Sequence, residues 1–137
     1  MSNSQIMNNE VTALLDGKNF AFVATLMKDG SPQITPTWID IENNIILVNT
    51  AEGRIKHKNV SRDPRVAVSV IDEKNPYNMI TIRGRVVEQT TTGADEHIDK
   101  LAKKYLGADK YPFRSSTEKR IILKIKPENI FHMKPPK

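Results

Sequence analysis

The segment best suited to binding chemistry covers residues 49–59. It carries a hydroxyl group on Thr50, then Gly53 where backbone must come close, then two cations, Arg54 and Lys56. If a helix begins beside these cations, its free N–H groups and its dipole favour an anion there. Arg54 can hold a phosphate through two parallel hydrogen bonds, and Lys56 adds a mobile positive charge. The segment is compatible with a phosphate site, although a bare basic run is more often a solvated helix face.

A second candidate is the segment that ends at Trp38, the only tryptophan of the chain. Pro36 interrupts it and has no N–H, so neighbouring backbone groups are free to bond a ligand. A flat ring could lie against this edge, with Thr35 and Thr37 offering hydroxyl groups. A lone Trp on a strand is more often a core or dimer-interface residue, and both interpretations stay open.

Common catalytic patterns are absent from the sequence. It has no glycine-rich dinucleotide or P-loop motif and no nucleophile elbow. The chain has no cysteine, which excludes disulfides, thiolate metal sites and cysteine nucleophiles. The three histidines, His57, His97 and His132, lie far apart, so we expect no metal site and interpret each as a surface or satisfied side chain.

Charge is distributed unevenly along the 137 residues, whose net charge is +5. Residues 1–53 carry 2 basic and 6 acidic side chains, and residues 54–137 carry 19 basic and 10 acidic ones. This asymmetry predicts an anionic partner for the second part. Residues 100–126, with 9 basic and 2 acidic side chains, could follow nucleic-acid phosphates, but aromatic residues are only 6% of the chain. A stacking platform is therefore missing, and we expect no nucleic-acid partner.

The length favours one domain over residues 1–137. The longest uncharged apolar run, residues 19–27, is far shorter than the roughly 20 residues that span a bilayer. No secretory signal is visible at the start. We therefore expect a cytoplasmic protein without a membrane partner.

Mostly strands must position the candidate residues. Period-two alternation and turn pairs at Asp29-Gly30 and Asn43-Asn44 predict six antiparallel strands, and helical spacing predicts two or three peripheral helices. The predicted helices cover residues 4–16, 52–61 and 92–105, and the strands cover 20–27, 33–41, 45–50, 66–71, 80–87 and 120–126, with 129–133 as a continuation of the last. The first three strands form a meander. This order indicates a mostly β fold, a small closed or split barrel.

Details of the helices follow from the same pattern. Ile55 and Val60 are expected on the inner face of the second helix. The third helix is expected to be capped by Thr91 or Thr92 and to end at Gly107. Its inward residues are Ile98, Leu101, Ala102 and Tyr105.

Taken in order, these segments resemble the split β-barrel flavin and deazaflavin oxidoreductases, the superfamily that includes pyridoxamine 5′-phosphate oxidase. The resemblance covers about Val11 to Phe131. It rests on residues 22–26 with 29–30, 32–38, 49–56, 59–67, 75–77 and 83–86. It implies a six-stranded antiparallel split β-barrel like that of FMN-binding proteins, and a homodimer with two cofactor sites at the subunit interface.

The resemblance also implies a cofactor. In the FMN-binding branch an Arg and a Lys adjacent in sequence commonly hold the phosphate, whereas here Ile55 separates Arg54 from Lys56. That spacing resembles the branch that binds the deazaflavin coenzyme F420, so we expect an F420-dependent reductase, with an FMN-dependent oxidoreductase or a non-catalytic cofactor-binding protein as alternatives. No counterpart of the substrate-recognition residues of pyridoxamine oxidase is visible near the C-terminus.

By this analogy, specific residues of this chain would bind the cofactor. Thr50, Arg54 and Lys56 would hold the phosphate, beside Gly53 and supported by Asn59. The strand formed by Gln33, Thr35, Pro36, Thr37 and Trp38 would lie along the ring, which Tyr77 and Asn78 of the partner subunit would approach. Because the cofactor carries the hydride chemistry, no catalytic residue is assigned.

Overall fold

The computed structural model describes residues 2–4 and 7–136 and shows a mostly β protein with three helices. The strands are β1 (Ser2–Ser4), β2 (Ala21–Leu26), β3 (Pro32–Thr37), β4 (Asp40–Glu42), β5 (Ile45–Ala51), β6 (Arg65–Ile71), β7 (Met79–Thr90) and β8 (Arg120–Met133). The helices are α1 (Asn9–Asp16), α2 (Ile55–Arg62) and α3 (Ala94–Leu106). No helix within the described ranges is long and apolar enough to cross a membrane. The expected cytoplasmic location stays a prediction.

Seven antiparallel strands form the main path of the sheet, in the order β3-β2-β6-β7-β8-β5-β4, and they curve into a half-barrel. β1 pairs with β8 outside this path. The predicted count of six strands is therefore wrong. The expected strand over 33–41 is two strands, because the backbone N–H of Ile39 donates to the Tyr105 hydroxyl at 3.1 Å. β3 then pairs with β2 and β4 pairs with β5, so the expected three-strand meander does not form.

The predicted turns and the long last strand are present. Gly30 (φ 88°) closes the β2–β3 hairpin, and Asn43 and Asn44 (φ 53° and 65°) close the β4–β5 hairpin. β8 continues through Pro127, opposite a register shift between Arg83 and Gly84 on β7. A side chain at Gly84 would collide with the Lys126 carbonyl oxygen, so only glycine fits at this position.

The core lies between the sheet and α1. Alternate residues of the strands point inward, as the pleat requires, and pack on the apolar side of α1. The fully buried members include Val11, Leu15, Val23, Ile46, Val68, Ile82, Leu123 and Ile125. Burial of this kind contributes about 25 cal/mol per Å² of apolar surface, which makes the core the main source of stability.

The helix ends differ from the predictions in three places. α2 begins at Ile55 instead of residue 52, because Gly53 (φ 87°) and Arg54 are not helical. α1 begins at Asn9 after an Asn8 cap, whose Oδ1 accepts from Val11 N at 2.9 Å, and Ser4 belongs to β1. The expected residues 5–6 of this helix lie outside the described residues. α3 is preceded by Gly93 in the left-handed conformation instead of by Thr91 or Thr92 as a side-chain cap. The predicted end at Gly107 is confirmed, as is burial of the four inward residues of α3.

Candidate functional site

The inner side of α2 is polar. Lys56 and Asn59 lie three residues apart and share one face of the helix. Lys56 Nζ donates to Thr35 Oγ1 at 2.7 Å, and Asn59 Nδ2 donates to Thr25 Oγ1 at 2.9 Å. Val60 is buried as predicted, but Ile55 is 51% exposed and Asn59 takes the inner position at 1%. The prediction for Ile55 is wrong because hydrogen bonds to β2 and β3, which hydropathy does not report, orient this helix.

Lys56, in the first turn of α2, is partly shielded from water. Burial lowers the pKa of Lys56, and the positive charge of Arg54 nearby lowers it further. Both effects disfavour the charged ammonium group, so an anion in this region would restore the pKa. Part of the predicted basic cluster is therefore not a solvated helix face.

The turn before α2 brings its backbone into an unusual conformation. Gly53 has φ 87°, which favours glycine, and its N–H donates to His57 Nδ1 at 2.9 Å. Arg54 follows as the extended N-cap residue that precedes α2, and its side chain makes no capping hydrogen bond. Thr50, at the end of β5, is only 2% exposed, so its hydroxyl lies inside the sheet.

The β3 residues that are expected to lie along the cofactor ring alternate between the two faces of the strand. Gln33, Thr35 and Thr37 are half-buried on the side where α2 packs, whereas Pro36 is exposed on the opposite side. Gln33 Oε1 is buried without a hydrogen-bond partner. A buried acceptor without a partner costs about 1–3 kcal/mol, so a donor from a ligand would stabilise it.

A cleft of about 200 Å³ joins the end of β3 to the start of α2. It brings together four predicted site residues, Pro36, Thr37, Trp38 and Arg54. No individual role in a site is predicted from the sequence for the other lining residues, which are Phe20, Asn49, Ile98, Tyr111, Phe113 and Arg120. Trp38 stacks on Tyr105 at 5.3 Å between ring centroids, so it is both a packed residue and a wall of the cleft.

Arg120 is the most buried cation of this cleft, at 7% exposed. A chain of hydrogen bonds holds it: Arg120 Nε donates to Asn49 Oδ1 at 2.9 Å, Asn49 Nδ2 lies 3.1 Å from His97 Nδ1, and His97 Nε2 lies 2.9 Å from Asp40 Oδ2. Asn49 Nδ2 also donates to the Ala94 carbonyl oxygen at 2.9 Å, which fixes the orientation of the amide. The ring proton of His97 is thereby assigned to Nε2, facing Asp40.

The free end of Arg120 faces other charged groups. Its Nη1 atom is buried without a hydrogen-bond partner and lies 3.7 Å from Glu118 Oε1. Glu118 Oε2 also accepts from Arg54 Nε at 3.1 Å. Burial lowers the pKa of Arg120, and the nearby charge of Arg54 adds to that effect. In the sequence, Arg120 is one of the cations of the basic 100–126 region, and only the tertiary structure buries it.

Tyr77 and Asn78 lie away from this cleft in the same chain. Tyr77 is 66% exposed, and Asn78 Oδ1 lies 2.7 Å from His132 Nε2. Asn78 lines a separate cleft of about 470 Å³ beside Glu10 and Asn19. One chain alone therefore does not bring these two residues to Arg54, and their role toward a partner subunit stays a prediction.

Most other cations of the 100–126 region are engaged. Lys104 Nζ donates to the carbonyl oxygens of Leu15 and Ile39, at 3.1 and 2.7 Å. Arg114 pairs with Asp99 at 2.6 Å. These contacts reduce the surface that an acidic partner could use. Residues 2–4 and 7–136 contain no group of three or more His, Cys, Asp or Glu side chains arranged to hold a metal ion.

Solved structures of similar proteins share this fold. The structure named F420 Reductase superposes with a TM-score of 0.81 at 25% identity, covering 92% of this chain and 98% of its own. HupZ from Group A Streptococcus gives 0.68 at 22% identity, covering 93% and 94% of the two chains. General Stress Protein 26 from Bacillus anthracis str. Sterne gives 0.68 at 19% identity, covering 93% of each chain.

The sequence comparison agrees with the structural one. Residues 7–134 match the sequence model of the family described as pyridoxamine 5′-phosphate oxidase, which covers nearly the whole chain. Proteins of this family are generally oxidoreductases that bind flavins such as FMN. The chain belongs to the pyridoxamine 5′-phosphate oxidase family.

Proposed function

We propose that this protein is an F420-dependent reductase, which transfers a hydride between the deazaflavin ring and a small organic acceptor. Two observations favour F420 over FMN. The structure named F420 Reductase is similar over nearly the full length of both chains. In addition, Ile55 separates Arg54 from Lys56, a spacing that resembles the F420-binding branch.

The contact between Lys56 and Thr35 carries the proposal. The 2.7 Å hydrogen bond joins the proposed phosphate-binding residues of α2 to β3, the strand proposed to lie along the ring. A single ligand with a phosphate and a flat ring can therefore contact both elements. A phosphate site on a solvated helix face would not have this hydrogen bond to the sheet.

The charges of the cleft, and the unpaired atoms of the cleft and of β3, fit an anionic cofactor. Arg54 and Arg120 share one nearby carboxylate, that of Glu118, while the neighbouring Lys56 donates only to a neutral hydroxyl. The buried Arg120 Nη1 and Gln33 Oε1 atoms have no partners and can bond to polar groups of a ligand. Each charge-assisted hydrogen bond contributes about 1.5–3 kcal/mol.

Each part of the site then has a separate task. Thr50, Arg54 and Lys56 bind the phosphate beside Gly53, and Asn59 holds α2 against the sheet. The backbone from Gln33 through Pro36 to Trp38 orients the ring, with the hydroxyl groups of Thr35 and Thr37 beside it. When bound, the deazaflavin supplies the hydride chemistry, and the protein supplies position, exclusion of water and electrostatics.

A homodimer completes the proposed site, because Tyr77 and Asn78 of the partner subunit reach the ring in this arrangement. The outer face of β2 and β3 supports a dimer. Phe22 and Ile34 are 40% and 61% exposed on neighbouring strands, which leaves apolar surface in water. Such a surface is typical of a subunit interface.

Titration of the purified protein with F420 and with FMN, followed by fluorescence, tests the cofactor. We expect F420 to bind at micromolar concentration and more tightly than FMN. Micromolar FMN binding without F420 binding would instead favour the second candidate, an FMN-dependent oxidoreductase, which the flavin-binding character of the family supports. Binding of F420 without turnover of any acceptor tested would favour a non-catalytic cofactor-binding protein.

A further inference from the structure

Glu118 lies between the two arginines of the cleft. Its Oε2 atom accepts from both Nε and Nη2 of Arg54, and its Oε1 atom is 3.7 Å from Arg120 Nη1. A carboxylate oxygen that accepts two hydrogen bonds from one guanidinium occupies the position that an oxygen of a phosphate or of a ligand carboxylate would take. The protein thus places an oxyanion of its own at Arg54.

The two arginines differ in how firmly they are held. Arg120 is 7% exposed and is fixed through Asn49 to α3, whereas the side chain of Arg54 is 50% exposed. Glu118 belongs to the loop between α3 and β8, where its side chain is 27% exposed. The carboxylate is therefore close enough to water to exchange, while the buried guanidinium keeps its place.

Arg120 lacks a hydrogen-bond partner for part of its guanidinium group in this arrangement. Its Nη1 atom is buried, and the Glu118 carboxylate lies beyond hydrogen-bond distance from it. A buried donor without a partner is unfavourable, so an oxyanion that reaches both guanidinium groups would bind better than Glu118 does.

We propose that Glu118 is a built-in competitor that the oxyanion of the ligand displaces from Arg54 and Arg120. The ligand group is a phosphate or a carboxylate, carried either by the cofactor or by the substrate. The inference rests on the proposed function, because it takes Arg54 as a ligand-binding residue. Glu118 then sets the affinity and the selectivity for ligands that bear an oxyanion.

The variant Glu118→Gln tests this competition, with FMN and riboflavin as probes that differ only in the phosphate. We expect Glu118→Gln to bind FMN about fivefold or more tightly than the wild type, with riboflavin binding unchanged. The matched control is Glu128→Gln, because Glu128 Oε2 accepts from Arg85 Nε at the same 3.1 Å on an exposed surface away from the cleft. That control should leave both affinities unchanged.

Two further measurements keep the test decisive. In the Arg54→Ala background the effect of Glu118→Gln on FMN should disappear. If the wild type binds neither flavin nor F420, the proposed function fails, and inorganic phosphate then tests Glu118 alone. Phosphate should raise the thermal midpoint of Glu118→Gln, and of Glu118→Ala as a second variant, more than that of the wild type. Unchanged or weaker oxyanion binding by both Glu118 variants would overturn the proposal.

Discussion

His97 Nε2 lies 2.9 Å from Asp40 Oδ2, and this contact begins the hydrogen-bond chain that ends at Arg120. Asp40 is 3% exposed and lies at the start of β4. A buried carboxylate requires partners to remain ionised. The pair therefore couples the stability of the protein to the geometry of the candidate site.

The ionisation of Asp40 predicts a pH dependence of stability. Burial raises the pKa of Asp40, but hydrogen bonds from His97, from the Ile41 N–H and from Lys100 outweigh burial and lower it from 3.8 to about 2. The stabilisation is present above pH 4 and is lost as the pH falls toward 2, because the unfolded chain takes up the proton first. The loss amounts to roughly 2 kcal/mol of unfolding free energy.

Urea unfolding between pH 2 and pH 6 measures this effect. The wild type should be more stable than Asp40→Asn above pH 4, and the difference should shrink toward pH 2. Asp109→Asn is a suitable control, because the Asp109 side chain is 91% exposed. A constant difference between wild type and Asp40→Asn across this range would contradict the assignment.

Removal of the Arg54 side chain should weaken cofactor binding without disturbing the fold. The Arg54 side chain is half exposed, so its loss leaves no cavity in the core. We expect Arg54→Ala to bind F420 about tenfold or more weakly, since a charge-assisted contact to phosphate is lost. Fluorescence titration measures the affinity and circular dichroism the fold. Arg85→Ala, which removes a comparable exposed Arg–Glu pair, should bind F420 normally; equal affinity of wild type and Arg54→Ala would place the phosphate elsewhere.

The exposed apolar face of β2 and β3 predicts a dimer that a charge can break. We expect sedimentation to give a dimer for the wild type and a monomer for the double variant Phe22→Glu with Ile34→Glu, because burying two carboxylates is unfavourable. Val87→Glu changes another exposed apolar side chain, 54% accessible on β7, and should remain dimeric. A monomeric wild type would remove the basis for a shared site.

The close approach at Gly84 predicts a large cost for the smallest side chain. In Gly84→Ala the added methyl group meets the backbone of Lys126, which cannot move without shifting β8. We expect the unfolding free energy to fall by about 1–3 kcal/mol, as overpacking usually costs. Thr81→Ala, on the same strand, should cost less than Gly84→Ala. Chemical denaturation compares the two, and equal stability of Gly84→Ala and wild type would show that β8 adjusts freely.

Much of the fold follows from local pattern. The period-two alternation of β6 and β7 and the glycine at the β2–β3 turn are visible in the sequence because they depend on nearest neighbours. The division between β3 and β4 is not visible. It depends on Tyr105, whose hydroxyl bonds Ile39 N at 3.1 Å and whose ring stacks on Trp38. A side chain 66 residues away thus ends one strand and begins another.

For the candidate site, too, one part follows from the local sequence and the other from the tertiary structure. Residue types and spacing by themselves identified Arg54 and Lys56 as a possible anion site and the Thr35–Trp38 segment as a second candidate, and only the family resemblance placed the two together. Only the tertiary structure brought Lys56 to Thr35, buried Asn59 in place of Ile55, added Arg120 to the cleft and placed Glu118 beside its two arginines. The physical reason is that burial and hydrogen bonding of a polar side chain depend on partners far away in the chain, whereas hydropathy and spacing report only its neighbours.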